Sequence, residues 1–236
     1  MFTSAAVCAI IGGSKTESEK RSMTTLIVVR HGQSISNLNG TFTGHMDSPL
    51  TELGLKQAER TAEYLKDRHI DAIYSSDLIR AMQTAEPVAR THGLTVIPER
   101  RLREICGGDW EGRNGAEIGK LYPENYEIWK TDVYRSTPDG GESFVEVAQR
   151  VNAFLKEILQ KHRGECVAIF SHALAVRALA CDWFGLPLSK VSEVPFSANA
   201  SVTTVRYHDD GGIELLQYGY CDHQGDQVTR LSKGLA

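Results

Sequence analysis

Short strand-like runs alternating with helix-period segments constrain this chain more than any other feature. Thr25-Leu-Ile-Val-Val29 is β-branched and uninterrupted, the pattern of a strand buried on both faces. Leu55, Ala58, Ala62 and Leu65 then recur at helical spacing, so Thr51 to Arg68 reads as an amphipathic helix. Asp71-Ala-Ile-Tyr74 is a second strand, and Asp77 is placed to cap a helix faced by Ala81, Ala85, Val88 and Ala89. Leu94 to Ile97, closed by Pro98, is the third strand. Ser143 and Glu146 form a capping box ahead of Phe144, Val147, Val151, Leu155 and Ile158, which line one face of a long helix. Cys166 to Phe170 is a fourth buried strand, followed by Ala173 to Phe184, a helix apolar nearly all round. Val202 to Tyr207 and Ile213 to Gln217, around the turn Asp209-Asp-Gly-Gly212, read as a closing hairpin. This alternation predicts an α/β fold, a three-layer α/β/α sandwich with a mainly parallel (mixed) central sheet.

Residues 23–236 are expected to form a single domain, without internal repeat or linker, a size that one core can serve. Residues 105–142 break the alternation. They are rich in glycine and aromatics and weakly periodic, and are expected to form a lid-like excursion with short helices around Ala116 to Leu121 and Tyr126 to Thr131. Residues 1–22 are expected to be a flexible leader. The apolar run Ala5 to Ile11 is far short of the roughly 20 residues of a membrane span. No Lys or Arg precedes it, as a secretory signal would require.

Charge and cysteine content narrow the partners. The 26 Lys+Arg against 30 Asp+Glu leave a net charge of −4, without the basic excess of a nucleic-acid binder. The five cysteines are scattered with no C-x-x-C pair, neither a disulfide framework nor a zinc knuckle, so a reducing, cytoplasmic compartment is expected. No nucleic acid and no membrane partner is expected; a homodimer is left open.

Ligands in open α/β sheets bind beyond the carboxyl ends of the strands, and those ends carry the chemistry here. The first strand ends in Arg30-His31-Gly32 and the fourth in Ser171-His172. The second leads through Ser75-Ser-Asp-Leu-Ile-Arg80, which puts Arg80 in the first helical turn, where free amides and the helix dipole favour an anion. The third is followed by Leu102-Arg-Glu104. Histidine, arginine, glutamate and histidine at successive strand ends suit phosphoryl transfer. An imidazole attacks phosphorus, guanidiniums stabilise the equatorial oxygens, and a carboxyl group handles the leaving-group proton.

Five ordered motifs resemble one family. They are Leu26-Ile-Val-Val-Arg-His-Gly-Gln-Ser-Ile-Ser-Asn37, Gly44-His-Met-Asp-Ser-Pro-Leu-Thr-Glu-Leu-Gly54, Ser75-Ser-Asp-Leu-Ile-Arg-Ala-Met-Gln-Thr-Ala85, Leu102-Arg-Glu-Ile105 with Trp110-Glu-Gly112, and Ser171-His172. Together they resemble the histidine phosphatase superfamily, phosphoglycerate mutase branch, from Thr24 to about Tyr207. The resemblance implies His31 as nucleophile, Glu104 as proton donor, and a phosphate pocket of Arg30, Arg80 and His172 completed by Asn37, Thr43, Gly44 and Ala173. It implies no metal and no cofactor. Two positions depart from the usual pattern: Ala173 stands where glycine often follows the second histidine, and Thr43 replaces a glutamine common in phosphatase members.

Competing assignments remain open. Glu111 is a rival acid. His45 and His69 read as surface residues, and His223 as a tail residue that could reach the site mouth. Trp110, Tyr122, Tyr126, Trp129 and Tyr134 read equally as a substrate wall or as packing. Three functions are distinguished: a phosphomonoesterase acting on a small phosphorylated metabolite, a bisphosphate-primed phosphoglycerate mutase, and a non-catalytic phospho-ligand binder. Mutases of the family carry adjacent arginines after the acid, whereas Ile105 to Glu142 holds only Arg113, Lys120, Lys130 and Arg135 as cations. The phosphatase is therefore expected.

Overall fold

The structure is a computed structural model that describes residues 23–229; the expected leader over residues 1–22 lies outside them. A six-stranded sheet in the order β3-β2-β4-β1-β5-β6 is built from β1 (Met23–Arg30), β2 (Ala72–Ser75), β3 (Val96–Pro98), β4 (Cys166–Ser171), β5 (Val202–His208) and β6 (Ile213–Tyr220). The β1, β2, β3 and β4 pairings are parallel, and β5 lies antiparallel between β1 and β6.

Side chains of β1 alternate between two cores, which is why its sequence is apolar without a break. Leu26 and Val28 enter a cluster with α6 (Phe144–Lys161) and α7 (Ala173–Trp183), while Ile27 and Val29 enter a second with α2 (Glu52–Leu65) and α3 (Ile79–His92). Helices thus cover both faces, as a parallel sheet requires, and the three layers match the sequence pattern. Between β1 and β3 the chain also forms α1 (Ile35–Asn39) ahead of α2. After β3, α4 (Gly115–Leu121) and α5 (Pro123–Thr131) occupy the region of weak periodicity. Trp110 is fully buried there, within 5.8 Å, ring centre to ring centre, of Phe42 and 5.5 Å of Trp129. Among the described residues no helix is long and apolar enough to cross a membrane.

Two local expectations are corrected. Asp77 does not cap α3. Its carboxylate is taken by Arg103, with bonds of 2.6 and 2.7 Å to Nε and Nη2, and Asp47 Oδ1 accepts the Ile79 amide instead. The third strand runs Val96–Pro98 rather than from Leu94, because the Leu94 amide still closes α3 on the Ala89 carbonyl.

Candidate active site

The site lies where β1 and β4 diverge. The chain leaves β1 for α2 on one face and leaves β4 for α7 on the other, and such a switch point opens a crevice at the strand ends. Arg30 and Ser171 are register partners, so His31 and His172 emerge side by side with ring centres 5.1 Å apart. A cleft opens over them. It is lined by Arg30, His31, Asn37, Thr43, Gly44, Arg80, Glu104 and Ala173, together with Ser36, Thr41, Phe42, Ile105, Trp129, Leu174 and Phe196. His172 is fully buried beside His31. The nine candidate residues are therefore brought together.

Each polar group is held in a defined state. His31 Nδ1 lies 2.7 Å from the Gly32 carbonyl; a carbonyl only accepts, so Nδ1 carries the proton and Nε2 keeps its lone pair. Burial, reinforced by Arg80 and Arg30, holds His31 well below the ordinary imidazole value. Burial does the same to His172, with Arg80 next. His172 Nε2 meets Ser76 Oγ at 2.7 Å, and its buried Nδ1 has no protein partner.

Two guanidiniums are buried against this pair. Arg30 donates from Nη1 to the Ser197 carbonyl at 2.6 Å, and its Nε is buried without a partner. Arg80 donates to the carbonyls of Gly44 (2.8 Å) and Met46 (3.0 Å). Burial pushes both down to about 10, against the opposing pull of Glu104. Cations and polar atoms desolvated without partners beside an open cleft are costly; an anion with several acceptor oxygens is the ligand that offsets the cost.

Asn37 Oδ1 accepts the Ser34 amide (3.2 Å) and Asn199 Nδ2 (3.1 Å), which leaves the Asn37 amino group for the cleft. Glu104 hangs at the cleft wall with Oε1 accepting from the amides of Ile105 (3.0 Å) and Leu174 (3.2 Å). At Gly44, φ is +52° and an added Cβ would stand 2.1 Å from Glu111 Oε1, so only glycine suits this approach.

The remaining candidates separate cleanly. Glu111 accepts the amides of His45 (2.7 Å) and Gly107 (2.8 Å) behind Gly44 and does not line the cleft. His45, expected at the surface, is half-buried with Nε2 2.8 Å from the Glu104 carbonyl. His69 is exposed beside Asp71. His223 stacks against Tyr64, 4.7 Å away, and does not line the cleft. Of the five aromatics only Trp129 lines the cleft; Trp110 and Tyr126 are core, and Tyr122 and Tyr134 pack against it.

Sequence reasoning missed Ser76, Asn199, Phe196 and Arg150, whose guanidinium donates to the Glu104 carbonyl at 2.8 Å. Phe196 walls the cleft with the buried Arg177 guanidinium 4.0 Å behind its ring. Ser76 had a signal, since it stands in the strand-end motif; the other three act across the fold with no local pattern.

Buried arginines and paired histidines at one strand edge define a phosphoryl-handling enzyme class, and comparison with known proteins places the chain within it. It belongs to the histidine phosphatase superfamily, branch 1, whose model matches residues 26–219, and is an enzyme of the phosphatase type. It is 39% identical to phosphoserine phosphatase 1 of Hydrogenobacter thermophilus, over 90% of this chain and 100% of that one. It is 34% identical to phosphoglycerate mutase-like protein 4 of Arabidopsis thaliana, over 89% of this chain and 91% of that protein. The solved structure of a mycobacterial glucosyl-3-phosphoglycerate phosphatase complexed with VO3 superposes with a TM-score of 0.77 at 31% identity, covering 84% of this chain and 99% of that one.

Proposed function

We propose that this chain is a phosphomonoesterase that hydrolyses a small phosphorylated metabolite through a phosphohistidine on His31. The observation that carries this reading is the distribution of charge. Arg30 and Arg80 are the only cationic side chains among the described residues that line the cleft, and both stand at its His31 end. One phosphoryl group is matched there. The rest of the wall, Phe42, Ile105, Trp129, Leu174 and Phe196 with the hydroxyls of Ser36, Thr41 and Thr43, offers no cation to a second phosphate.

The chemistry follows from the states of the groups. His31 Nε2, neutral and with its lone pair free, attacks phosphorus as the ester P–O bond breaks, while the Glu104 carboxyl group gives its proton to the departing oxygen. Arg30, Arg80, His172 and the Asn37 amino group take the equatorial oxygens, whose charge they stabilise most in the transition state. The Ser76 hydroxyl accepts the Leu78 amide, so its proton is available to His172 Nε2, which leaves His172 Nδ1 as a donor. Water then attacks phosphorus as the N–P bond breaks, and Glu104 takes the water proton.

A bisphosphate-primed mutase would need a second anion site. Arg113 instead donates to the Asp109 carbonyl and Lys130 pairs with Glu127, both at the exposed surface. The deciding experiment is a phosphometabolite panel that includes 3-phosphoglycerate with 2,3-bisphosphoglycerate. Phosphate release without isomerisation is expected; isomerisation outpacing release overturns the reading.

A further inference from the structure

The segment that carries Glu104 belongs to no helix or strand; it lies between two single 3-10 turns, Arg100–Leu102 and Gly108–Trp110. The Ile105 amide and the Leu174 amide of α7 hold the Glu104 carboxyl group itself, but no helix or sheet ladder fixes the backbone that carries it. A guanidinium from the opposite element does. Arg150 Nη1 donates to the carbonyls of Arg101 (2.8 Å) and Arg103 (2.6 Å), and Nη2 to the Glu104 carbonyl (2.8 Å). Its Nε and Nη2 also hold the Glu142 carboxylate at 2.7 and 2.8 Å.

The clamp is anchored on both sides. Arg150 stands on α6, whose capping box and buried Val147 and Val151 fix it against the core. Glu142 is tied back to the same segment, its Oε2 accepting the Cys106 amide (3.2 Å) and its own amide donating to the Cys106 carbonyl (2.9 Å). His45 Nε2 adds a second contact to the Glu104 carbonyl. Neither Arg150 nor Glu142 lines the cleft. Three converging carbonyls and a bidentate carboxylate demand a planar fork of donors, which lysine lacks.

We propose that Arg150, with Glu142 as counter-ion, is a positioning residue for proton transfer, setting where the Glu104 carboxyl group meets the leaving oxygen by fixing the Glu104 backbone. This rests on Glu104 being the proton donor. An ester with a poor leaving group needs that proton and an aryl phosphate does not. Mispositioning the donor therefore penalises the first and spares the second, whereas general loosening of the fold penalises both.

The test is kcat/KM across phosphate monoesters of rising leaving-group pKa, from p-nitrophenyl to alkyl phosphates, for wild type, Glu104→Gln, Arg150→Lys and Arg150→Met. Arg150→Lys keeps the charge, which is among those that hold His172 neutral, and so carries the test if Arg150→Met does not fold. The expected result is a loss with Arg150→Lys of roughly 100-fold on alkyl esters, the scale of a misplacement of about 1 Å, and of under about 3-fold on the aryl ester, where the proton contributes little. The double variant Glu104→Gln with Arg150→Lys should be no worse than Glu104→Gln alone. A steep Glu104→Gln profile with an equal loss, or no loss, across the series for Arg150→Lys overturns the Arg150 proposal alone. A flat Glu104→Gln profile removes Glu104 from the acid role and the Arg150 proposal with it.

Discussion

The His31 and His172 imidazoles stand 5.1 Å apart because the residues before them, Arg30 and Ser171, are partners in the register of two adjacent parallel strands. The pairing continues past the strand ends: the His31 amide donates to the Ser171 carbonyl at 2.9 Å, and the Ser76 amide to the Phe170 carbonyl at 2.9 Å. The site is thus an extension of the sheet ladder. Two neutral rings and two buried guanidiniums are held in a frame that a flexible loop could not supply.

His31→Ala should abolish turnover while leaving the phosphate pocket standing. Loss of a covalent nucleophile costs on the order of 10³-fold or more, because the remaining groups cannot replace the two-step path. Rapid quenching with labelled substrate should trap a phosphoenzyme in wild type and none in the variant. Arg30 and Arg80 remain, so inorganic phosphate should still raise the melting temperature of His31→Ala. Residual turnover near the wild-type rate would sink the nucleophile assignment.

Stability should fall as the solution is acidified below pH 6.5, the ordinary imidazole value. In the folded chain burial holds His31 and His172 well below that value, and pulls His223 down to about 4. Above pH 6.5 these rings are neutral in both states and contribute no pH dependence. Below it the unfolded chain binds protons that the folded chain refuses, so stability is lost as pH falls, a loss that for His223 continues down to about 4. Replacing one such ring, as in His172→Gln, should make urea-derived stability less steep by up to about 1.4 kcal/mol per pH unit. Identical slopes for wild type and variant would show that His172 is not held neutral.

What could be read in advance and what could not divides along sequence distance. Arg30-His31 and Ser171-His172 were legible because a strand buried on both faces has a strong local pattern, and its carboxyl end is where such sheets bind ligands. The edge strand β3 is only partly covered, and its start was misplaced by the residues that close α3. Asp77 sits at a proper capping spacing, yet a bidentate ion pair with Arg103, 26 positions away, outcompetes a single amide. Arg150 and Asn199 were invisible because they act on backbone carbonyls 46 and 168 positions away. Any residue offers a carbonyl, so the chain carries no mark of such a contact.

Gly44→Ala should lower both stability and kcat/KM. The position combines a φ of +52° with Glu111 Oε1 at 2.1 Å and the Gly107 amide nitrogen at 2.7 Å from an added Cβ, and its carbonyl accepts from Arg80. Strain of this kind costs about 1–3 kcal/mol, and relieving it moves the carbonyl that aims Arg80. Gly93→Ala is the matched control. Gly93 has a φ of +65° but nothing within 4 Å of the added carbon, so it should lose stability alone. Equal activity in the two variants would break the link between Gly44 and Arg80.

Asn199→Asp should weaken phosphate binding more than Asn199→Ala. The Asn199 amino group shares its two hydrogens among the carbonyls of His31 (3.2 Å) and Gly32 (3.3 Å) and Asn37 Oδ1 (3.1 Å). It thereby supports the carbonyl that sets the His31 tautomer and turns the Asn37 amino group toward the cleft. Alanine leaves three acceptors short of a donor; aspartate sets a carboxylate against the same three oxygens, so repulsion adds to the loss. Isothermal titration with inorganic phosphate should show affinity falling by about tenfold for alanine, which corresponds to ~1.4 kcal/mol, and further for aspartate. Unchanged affinity in both variants would mean that Asn37 orients itself and that Asn199 only ties Thr229 to the loop that follows His31.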